Sequence, residues 1–310
     1  MTTFQLAADK RATLADAVAQ IHDGATVALG GGLCARLPMA LVRELARQQR
    51  RGLRVVGSAH SIDVDLLVGV GAVAICEESY VGFEQDLGLA PGYRRAAENG
   101  TLEVRESSCV TVLAQLRAAE MGVPFLPVRG LKGTDLLALH PEYGLVTCPF
   151  TGEELVAVPA LCPDVALLHA PLGDAQGNLH LDQPYVLDER FAHAARLVIA
   201  TVDALVDTAD VVVAGVTIPA HRVAAVVEAP FGAHPSSCYP GYAYDRAHLA
   251  EYVDAAGAGG ERFEAYVDRY VRLGEPAYQR LVGADRLTTW SRSHDDWRGL
   301  FQPSPEGRSR

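Results

Sequence analysis

The chain has 310 residues, of which 49% are hydrophobic and 21% are charged, so it is long enough for one large globular domain or two modest ones. Its formal charge is -11 at pH 7 and its basic residues are dispersed, which argues against nucleic-acid binding. No run approaches the roughly 18 apolar residues of a membrane span and residues 1–10 lack a leader pattern, so we expect a cytoplasmic protein that does not bind membranes.

Helix and strand patterns alternate in the first eighty residues. Apolar residues from Leu14 to Ile21 recur at helical spacing, and Gly24 is placed to end that helix. The next predicted elements are a strand over Thr26–Leu29, a helix with Pro38 in its first turn, a strand over Leu53–Val56, a helix over 63–68 and a strand over 72–76. This order is typical of β-α-β units.

The alternation predicts an α/β fold with an open, mostly parallel sheet, helices on both faces and a helical C-terminal segment. Two wholly apolar runs, 165–168 and 197–200, agree with strands that are buried on both faces. We expect a single domain over residues 1–290 and a loosely attached tail over residues 291–310.

Six cysteines are scattered along the chain, and no two of them are spaced as CxxC. This spacing provides neither a zinc motif nor a small disulfide framework. We therefore predict no metal site and expect most of the cysteines to be reduced thiols in the core. They are Cys34, Cys76, Cys109, Cys148, Cys162 and Cys238.

Three consecutive glycines, Gly30, Gly31 and Gly32, follow the first predicted strand. Glycines here let the backbone turn sharply and approach a ligand closely, and their N–H groups can hold a carbonyl or phosphate oxygen. The spacing fits neither GxGxxG nor a P-loop, so a tight strand-to-helix turn without a ligand is the alternative.

Glu106 follows a short predicted strand and precedes a helix with apolar positions at Val112 and Leu116. Open α/β sheets bind their ligands at the carboxyl ends of strands, so Glu106 is a candidate general base or substrate-orienting residue. A carboxylate at the start of a helix is also favoured electrostatically, so a helix cap is the structural alternative.

Two further segments carry polar groups. Arg129, which follows a proline-flanked extended run, can hold a carboxylate or phosphate through two hydrogen bonds, or it can be a solvated loop charge. Residues 228–239 are rich in Gly and Pro and are expected to form an ordered loop. No GxSxG elbow precedes its His234, Ser236 and Cys238, so we expect them to satisfy the loop backbone rather than to act as nucleophiles.

These segments, in this order, resemble the A (α) subunit of family I CoA-transferases of the glutaconate CoA-transferase type. The resemblance extends from about Thr13 to Leu287. It rests on residues 23–32 with Pro38, on 121–130, on 166–177 with the run Leu168-His169-Ala170, and on 228–239 with Tyr244-Asp245. The string APFGAHPSSCY in the last block is the most specific feature.

The resemblance implies a CoA-transferase/NagB-like fold and a partner, because members assemble from A and B subunits, here as αβ or α2β2. In the family the B subunit carries a glutamate that attacks the acyl-CoA thioester. A glutamyl anhydride and then a glutamyl-CoA thioester form, and CoA passes to an acceptor carboxylate. The implied substrates are a CoA thioester and a small carboxylic acid, with no permanently bound cofactor.

No B-type glutamate motif is found in this chain, because Glu77-Glu78 and Glu153-Glu154 lack the expected glycine neighbours. The nucleophile is therefore expected in the partner, and this chain is expected to form one wall of a shared cleft. The predicted substrate-binding residues are Gly30, Gly31, Gly32, Ser58, His60 and Arg129.

Relatives on the same fold carry out other reactions. Some are CoA-thioester hydrolases that open a ring in steroid breakdown, and one group decarboxylates a glutaconyl-type thioester. A glutamate of the A-type chain is implicated in the ring-opening relatives, and Glu106 matches it by its spacing from the turn at Gly122. Ser107 stands where the glutaconate type carries a tyrosine, which argues against glutaconate itself as the substrate. A non-catalytic ligand-binding domain is a third alternative.

Overall fold

The chain is represented by a computed structural model that describes residues 9–183, 185–289 and 291. The predicted tail, residues 291–310, lies outside the described residues apart from Ser291. No helix in the described ranges is long and apolar enough to cross a membrane.

The described residues contain thirteen strands. In chain order they are β1 (Thr26–Leu29), β2 (Leu53–Val56), β3 (Ala59–His60), β4 (Val73–Glu77), β5 (Tyr80–Val81), β6 (Glu103–Val104), β7 (Phe125–Val128), β8 (Gly144–Thr147), β9 (Glu154–Pro159), β10 (Val165–Gly173), β11 (Leu179–His180), β12 (Leu197–Leu205) and β13 (Ala225–Glu228).

Helices connect most of these strands and form the C-terminal segment. They are α1 (Leu14–Ala19), α2 (Met39–Arg47), α3 (Ile62–Gly69), α4 (Glu84–Leu87), α5 (Pro91–Glu98), α6 (Cys109–Met121), α7 (Leu136–Leu139), α8 (Asp188–Ala194), α9 (Thr208–Ala214), α10 (Arg246–Ala258), α11 (Gly260–Tyr270), α12 (Glu275–Val282) and α13 (Ala284–Thr289), with a 3-10 helix over Ala220–Arg222.

The central sheet has the strand order β13-β12-β10-β1-β2-β4-β6, and every neighbouring pair along this path is parallel. Strand β11 pairs antiparallel with the end of β10. Because the carboxyl ends of parallel strands meet at one edge, the residues after β1, β2, β4 and β6 lie side by side there. This edge is the usual ligand side of an open α/β sheet.

Both faces of the central sheet are covered. Val27 and Leu29 of β1 belong to a core with residues of α1, α2, α3 and α10–α13, whereas Ala28 belongs to a second core with residues of α6 and α8. Successive strand residues point to opposite faces, and both faces are apolar here because helices cover both. The predicted open, mostly parallel α/β sheet with a helical C-terminal segment is confirmed.

Element boundaries agree closely with the predicted ones. β1 and β2 have the predicted bounds, and α3 and β4 differ by one residue at each end, while β10 and β12 are longer than predicted. The predicted roles of Gly24 at the end of α1 and of Pro38 at the start of α2 are wrong. Helix α1 ends at Ala19, and Gly24 instead takes a positive φ of 77° in the turn before β1. Pro38 is the N-cap residue of α2 rather than part of its first turn.

Two features differ from the sequence expectations. Strands β7, β9 and β8 form a separate antiparallel sheet, which has no continuous buried apolar run to reveal it. The prediction that most cysteines lie in the core is wrong, because only Cys76 and Cys238 are buried, whereas Cys109 and Cys162 are exposed.

Candidate functional site at the carboxyl edge of the sheet

The carboxyl edge of the central sheet gathers most of the predicted site residues. β1 leads into the three glycines, and β2 leads into Ser58 and His60. β4 leads into Glu78, and β6 leads into Glu106. Since these four strands are parallel neighbours, the four segments form one continuous polar edge.

The three glycines form a turn whose N–H groups are all used within the chain. Gly30 donates to a β10 carbonyl at 2.8 Å, and Gly32 donates to the carbonyl of Ala35 at 3.0 Å. Gly31, with a φ of +74°, donates to Asp188 Oδ1 at 2.9 Å. Each of these N–H groups already has an acceptor within the chain. The prediction that they hold a carbonyl or phosphate oxygen of a ligand is therefore wrong. The turn is the tight strand-to-helix connection, and close approach of a substrate to these glycines stays a prediction.

A buried ion pair supports the glycine turn. Arg36 Nη2 lies 2.7 Å from Asp188 Oδ2, and the two side chains are 3% and 0% exposed. Asp188 thus uses one oxygen for Gly31 and the other for Arg36. The sequence offers no local sign of this role, because Asp188 lies 157 positions after Gly31.

Ser58 and His60 continue the edge after β2. The Ser58 hydroxyl donates to Cys109 Sγ at 3.0 Å, and its carbonyl accepts the N–H of Ser79. His60 is 1% exposed, and its Nδ1 lies 2.5 Å from Asp63 Oδ2. Burial disfavours the charged ring, but the negative charges of Asp63 and Glu78 outweigh it and raise the pKa of His60 to about 9. His60 is therefore an imidazolium cation at neutral pH.

Glu78 is a buried acid that the sequence reasoning did not assign to the site. It is 5% exposed, and neither carboxylate oxygen has a hydrogen-bond partner among the described residues. Burial is the main cause that raises the pKa of Glu78 to about 8, and the nearby His60 cation partly offsets it. Strongly perturbed acids of this kind concentrate at functional sites. The local sequence shows only a Glu-Glu pair at the end of a strand, which is typical of a solvated pair.

Glu106 is exposed, and it is not the cap of the following helix. Ser108 is the N-cap residue of α6 and forms a capping box with Thr111, so the helix-cap alternative for Glu106 is wrong. The backbone carbonyl of Glu106 accepts a hydrogen bond from His140 Nε2 at 2.7 Å, which fixes the loop. The Glu106 side chain is left at the surface of the edge.

Tyr93 connects Glu106 with Glu78 electrostatically. Burial raises the pKa of Tyr93, and the negative charges of Cys76, Glu78 and Glu106 add to the shift. The charges of both acids therefore act on one half-buried phenol on α5.

Arg129 lies in the small antiparallel sheet rather than on the carboxyl edge. It follows β7, its side chain is 79% exposed, and Nη2 lies 3.0 Å from Glu153 Oε2. The described contacts do not join it to the glycine turn, Ser58 or His60, and its binding role stays a prediction.

The loop over residues 228–239 is locked by its own polar groups. Ser236 is fully buried and its hydroxyl donates to the carbonyl of Ala233. His234 lies between Tyr278 Oη at 2.7 Å and Asp245 Oδ2 at 3.2 Å. These contacts agree with the expectation that the loop's polar side chains hold its backbone instead of attacking a substrate.

A cavity of about 700 Å³ opens beside the edge, within the range of about 300–1,000 Å³ that is usual for ligand sites. Its lining includes Leu33, Ala59, Tyr80, Glu84 and Asp86. Leu33 follows the glycine turn, and Ala59 lies between Ser58 and His60. The cavity thus joins the segments after β1, β2 and β4.

One cluster of possible metal ligands is found among the described residues. The ligand atoms of His169, Asp203 and Cys238 lie within 4.8 Å of one another. Tyr242 donates to Asp203 at 3.3 Å, and His169 Nδ1 lies within hydrogen-bond distance, 2.8 Å, of the Thr201 hydroxyl oxygen. The cluster is thus joined by hydrogen bonds within the chain, and the expectation of no metal stays a prediction.

Comparison with known proteins identifies the family. The open parallel sheet with polar groups at its carboxyl edge defines an α/β protein that binds its ligands at strand ends. The family model for coenzyme A transferases matches residues 11–229. The chain belongs to the coenzyme A transferase family, as an enzyme subunit of the A type, and the alternative of a non-catalytic domain is set aside.

Relatives that are about one third identical to this chain differ in name and in length. The A-type chain of a 3-oxoadipate CoA-transferase of Pseudomonas knackmussii is 33% identical over 84% of this chain and 93% of its own length. The IpdA chain of a cholesterol ring-cleaving hydrolase of Rhodococcus jostii is 33% identical over 88% of this chain and 96% of its own length. An uncharacterized protein of Archaeoglobus fulgidus is 35% identical, with 85% of this chain matching 60% of that longer protein.

Solved structures share the fold. Glutaconate coenzyme A-transferase from Acidaminococcus fermentans superposes with a TM-score of 0.87 at 30% identity, covering 92% of this chain and 96% of that chain. A variant of the decarboxylase AibA/AibB superposes with a TM-score of 0.78 at 36% identity, covering 84% of this chain and 97% of that chain. Transferase, hydrolase and decarboxylase names therefore all occur on this scaffold.

Proposed function

We propose that this chain is the A (α) subunit of a CoA-transferase that moves CoA between an acyl-CoA and a carboxylic acid. A B (β) subunit supplies the nucleophilic glutamate, in an αβ or α2β2 assembly in the cytoplasm. The observation that carries the proposal is the match of nearly the whole chain to proteins named as A subunits of CoA-transferases. The CoA thioester enters as a substrate, and no permanently bound cofactor takes part.

Two of the chain's thiols, Cys34 and Cys238, are poor candidates for the nucleophile. Burial raises the pKa of Cys34, which follows the glycine turn, to about 11. Burial also raises the pKa of Cys238 well above its usual value. The thiolate is the reactive form of cysteine, so neither side chain is an activated nucleophile at neutral pH.

This chain supplies one wall of the acyl site in the proposed enzyme. The cavity beside Ala59 receives the acyl group, and the imidazolium of His60 places a positive charge at the edge where a thioester oxygen gains negative charge during attack. Glu106 lies on the same edge and is exposed. The oxygens of a carboxyl group accept hydrogen bonds, so we assign Glu106 to orient an amide N–H or hydroxyl group of the CoA thioester.

A CoA-thioester hydrolase that uses Glu106 as its general base is the second candidate. Two observations favour it, namely the 33% identity to the IpdA chain of a cholesterol ring-cleaving hydrolase and the exposed, non-capping position of Glu106. Decarboxylation on the same scaffold is a further candidate reaction, given the superposition on AibA/AibB.

The Glu106→Gln variant of the co-purified complex separates these reactions. For an orienting residue we expect the KM for acyl-CoA to rise about tenfold while kcat changes less than about threefold, because the partner's nucleophile still works. The melting temperature should not change, since Ser108 caps α6.

Glu103→Gln is the matched control, because Glu103 is a neighbouring exposed acid that pairs with Arg105. We expect that variant to leave both kinetic constants unchanged. A fall in kcat of about 100-fold or more in Glu106→Gln alone would contradict the orienting role and favour the hydrolase, since a general base contributes at least that much.

A further inference from the structure

The walls of the cavity beside the carboxyl edge differ in polarity between the elements that form them. Leu33, after the glycine turn, and Ala59 of β3 provide aliphatic surface, and Tyr80 of β5 adds an aromatic side chain. Glu84 and Asp86 of α4 complete the described lining, which contains no basic side chain. The cavity is thus an apolar volume with carboxyl groups where it meets α4.

The two acids of α4 differ in their partners. Asp86 forms an ion pair with Arg246 at 2.6 Å, so these two residues together add little net charge. The backbone N–H of Glu84 donates to Tyr80 Oη at 3.0 Å, and its carbonyl accepts from the N–H of Gly88 at 2.9 Å. Its carboxyl group has no partner among the described residues. Within the described lining, Glu84 is therefore the acid that no cation balances.

The backbone holds Glu84 in the cavity wall. Glu84 has a φ of +55°, in the left-handed region that residues other than glycine rarely adopt. The Tyr80 side chain stabilises this turn through the hydrogen bond to the Glu84 N–H. A Cβ atom at Gly82 would lie 2.6 Å from Tyr80 Oη, so only glycine lets the tyrosine cross the turn. Strained residues of this kind concentrate at functional sites.

The charges of the two acids reach the wall of the cavity that follows the glycine turn. Burial is the main cause that raises the pKa of Cys34 to about 11, and the negative charges of Glu84 and Asp86 add to the shift. Cys34 directly follows Leu33, which lines the cavity. A carboxylate in this space would therefore be repelled, whereas an alkyl group would gain free energy by leaving water.

The order of the lining groups sets the direction of a bound acyl chain. In the proposed enzyme the thioester lies near the imidazolium of His60, which follows Ala59 in β3. The far end of the acyl chain then lies near α4, where Glu84 and Asp86 line the cavity. The second carboxylate of a dicarboxylic acyl group would meet like charge at that end.

We propose that the cavity accepts acyl groups whose far end is uncharged, and that Glu84 is a specificity-determining residue that excludes acyl groups with a second carboxylate. The substrates are then CoA thioesters of monocarboxylic acids. This inference rests on the proposed function, because that function places the acyl group in the cavity. Two relatives are named for dicarboxylates, 3-oxoadipate and glutaconate, so a different substrate class is expected here.

The test is the affinity of the co-purified complex for S-pentyl-CoA and S-(4-carboxybutyl)-CoA, measured by titration calorimetry at pH 7. These thioethers have equal chain length and no acyl carbon to attack, so only binding is measured. Wild type should bind S-pentyl-CoA at least about 30-fold more tightly, because the carboxylate loses water and meets the charge of Glu84. Glu84→Gln should bind S-(4-carboxybutyl)-CoA about fivefold more tightly than wild type and S-pentyl-CoA within about twofold of wild type.

Reversing the charge gives a larger effect. Glu84→Lys should bind S-(4-carboxybutyl)-CoA at least about 20-fold more tightly than wild type, because repulsion becomes attraction. Glu98→Gln is the matched control, since Glu98 is an exposed glutamate of α5 outside the described lining. That variant should bind both thioethers as wild type does. Melting temperatures confirm that each variant is folded.

An unchanged affinity of Glu84→Gln for S-(4-carboxybutyl)-CoA, or an equal gain for both thioethers, would overturn the proposal. Tighter binding of S-(4-carboxybutyl)-CoA than of S-pentyl-CoA by wild type would also overturn it. Because the thioethers do not react, the result is separate from the proposed transfer. A complex with the predicted charge selectivity that transfers no CoA would contradict the transferase and leave the role of Glu84 standing. Transfer from dicarboxylic acyl-CoA alone would contradict only the inference.

Discussion

Gly31→Ala is expected to destabilise the chain by more than about 3 kcal/mol and to abolish assembly with a partner. An added Cβ would lie 2.4 Å from the carbonyl oxygen of Ala35 and 2.5 Å from that of Arg36, and backbone atoms cannot rotate away. The φ of +74° at Gly31 adds a penalty of about 1–2 kcal/mol for any L-residue with a side chain. The free energy of unfolding from chemical denaturation is the measurement.

Gly71→Ala is the control for the backbone conformation. Gly71 has a φ of +71°, and nothing lies within 4 Å of its Cβ position. We expect only the conformational part of the loss there, about 1–2 kcal/mol. Equal losses in the two variants would mean that the carbonyl oxygens of Ala35 and Arg36 do not approach the Cβ position of Gly31 as closely as they do in the structure.

Asp188→Asn is expected to lower the free energy of unfolding by about 3–5 kcal/mol, because it removes the carboxylate charge opposite a buried guanidinium. Arg36 and Asp188 are 3% and 0% exposed at their side chains, so water cannot replace the lost charge. Asparagine still offers an oxygen to the N–H of Gly31, so the loss reports mainly on the ion pair.

An exposed pair of the same type is the comparison for this variant. Asp86 pairs with Arg246 at 2.6 Å, but the two side chains are 43% and 54% exposed. Asp86→Asn should therefore change the unfolding free energy by less than about 1 kcal/mol. Similar losses for Asp86→Asn and Asp188→Asn, measured by denaturant titration, would show that the pair beneath the glycine turn is not desolvated.

The sheet and its ligand edge can be predicted from the sequence because they depend on local patterns. β10 and β12 begin with short, wholly apolar runs, which are typical of strands that are buried on both faces. Once the strands are parallel, the positions of the glycines, Ser58 and Glu106 at one edge follow from chain direction alone. The antiparallel sheet of β7, β8 and β9 cannot be predicted in this way, because its strands mix exposed and partly buried residues and contain no continuous buried run.

The polar interior of the site cannot be predicted in this way because it depends on contacts that are distant in sequence. Asp188 reaches Gly31 across 157 positions, and no spacing rule connects them. In the sequence Glu78 is simply an acidic residue. Only the packing of β2 against β4 shows that its carboxyl group is buried against Gly57. The sequence gives no sign that the N–H groups of the three glycines already have hydrogen-bond acceptors. These acceptors come from β10, α8 and the following turn.

The proposed transfer reaction requires that the nucleophile belong to the partner chain. The most direct test is to co-purify this chain with a B-type partner, incubate the complex with an acyl-CoA in the absence of an acceptor acid, and weigh both chains by mass spectrometry. We expect a covalent CoA adduct on a glutamate of the partner, none on this chain, and no turnover by this chain alone. A CoA adduct on this chain, or full thioester turnover by the purified single chain, would contradict the assignment.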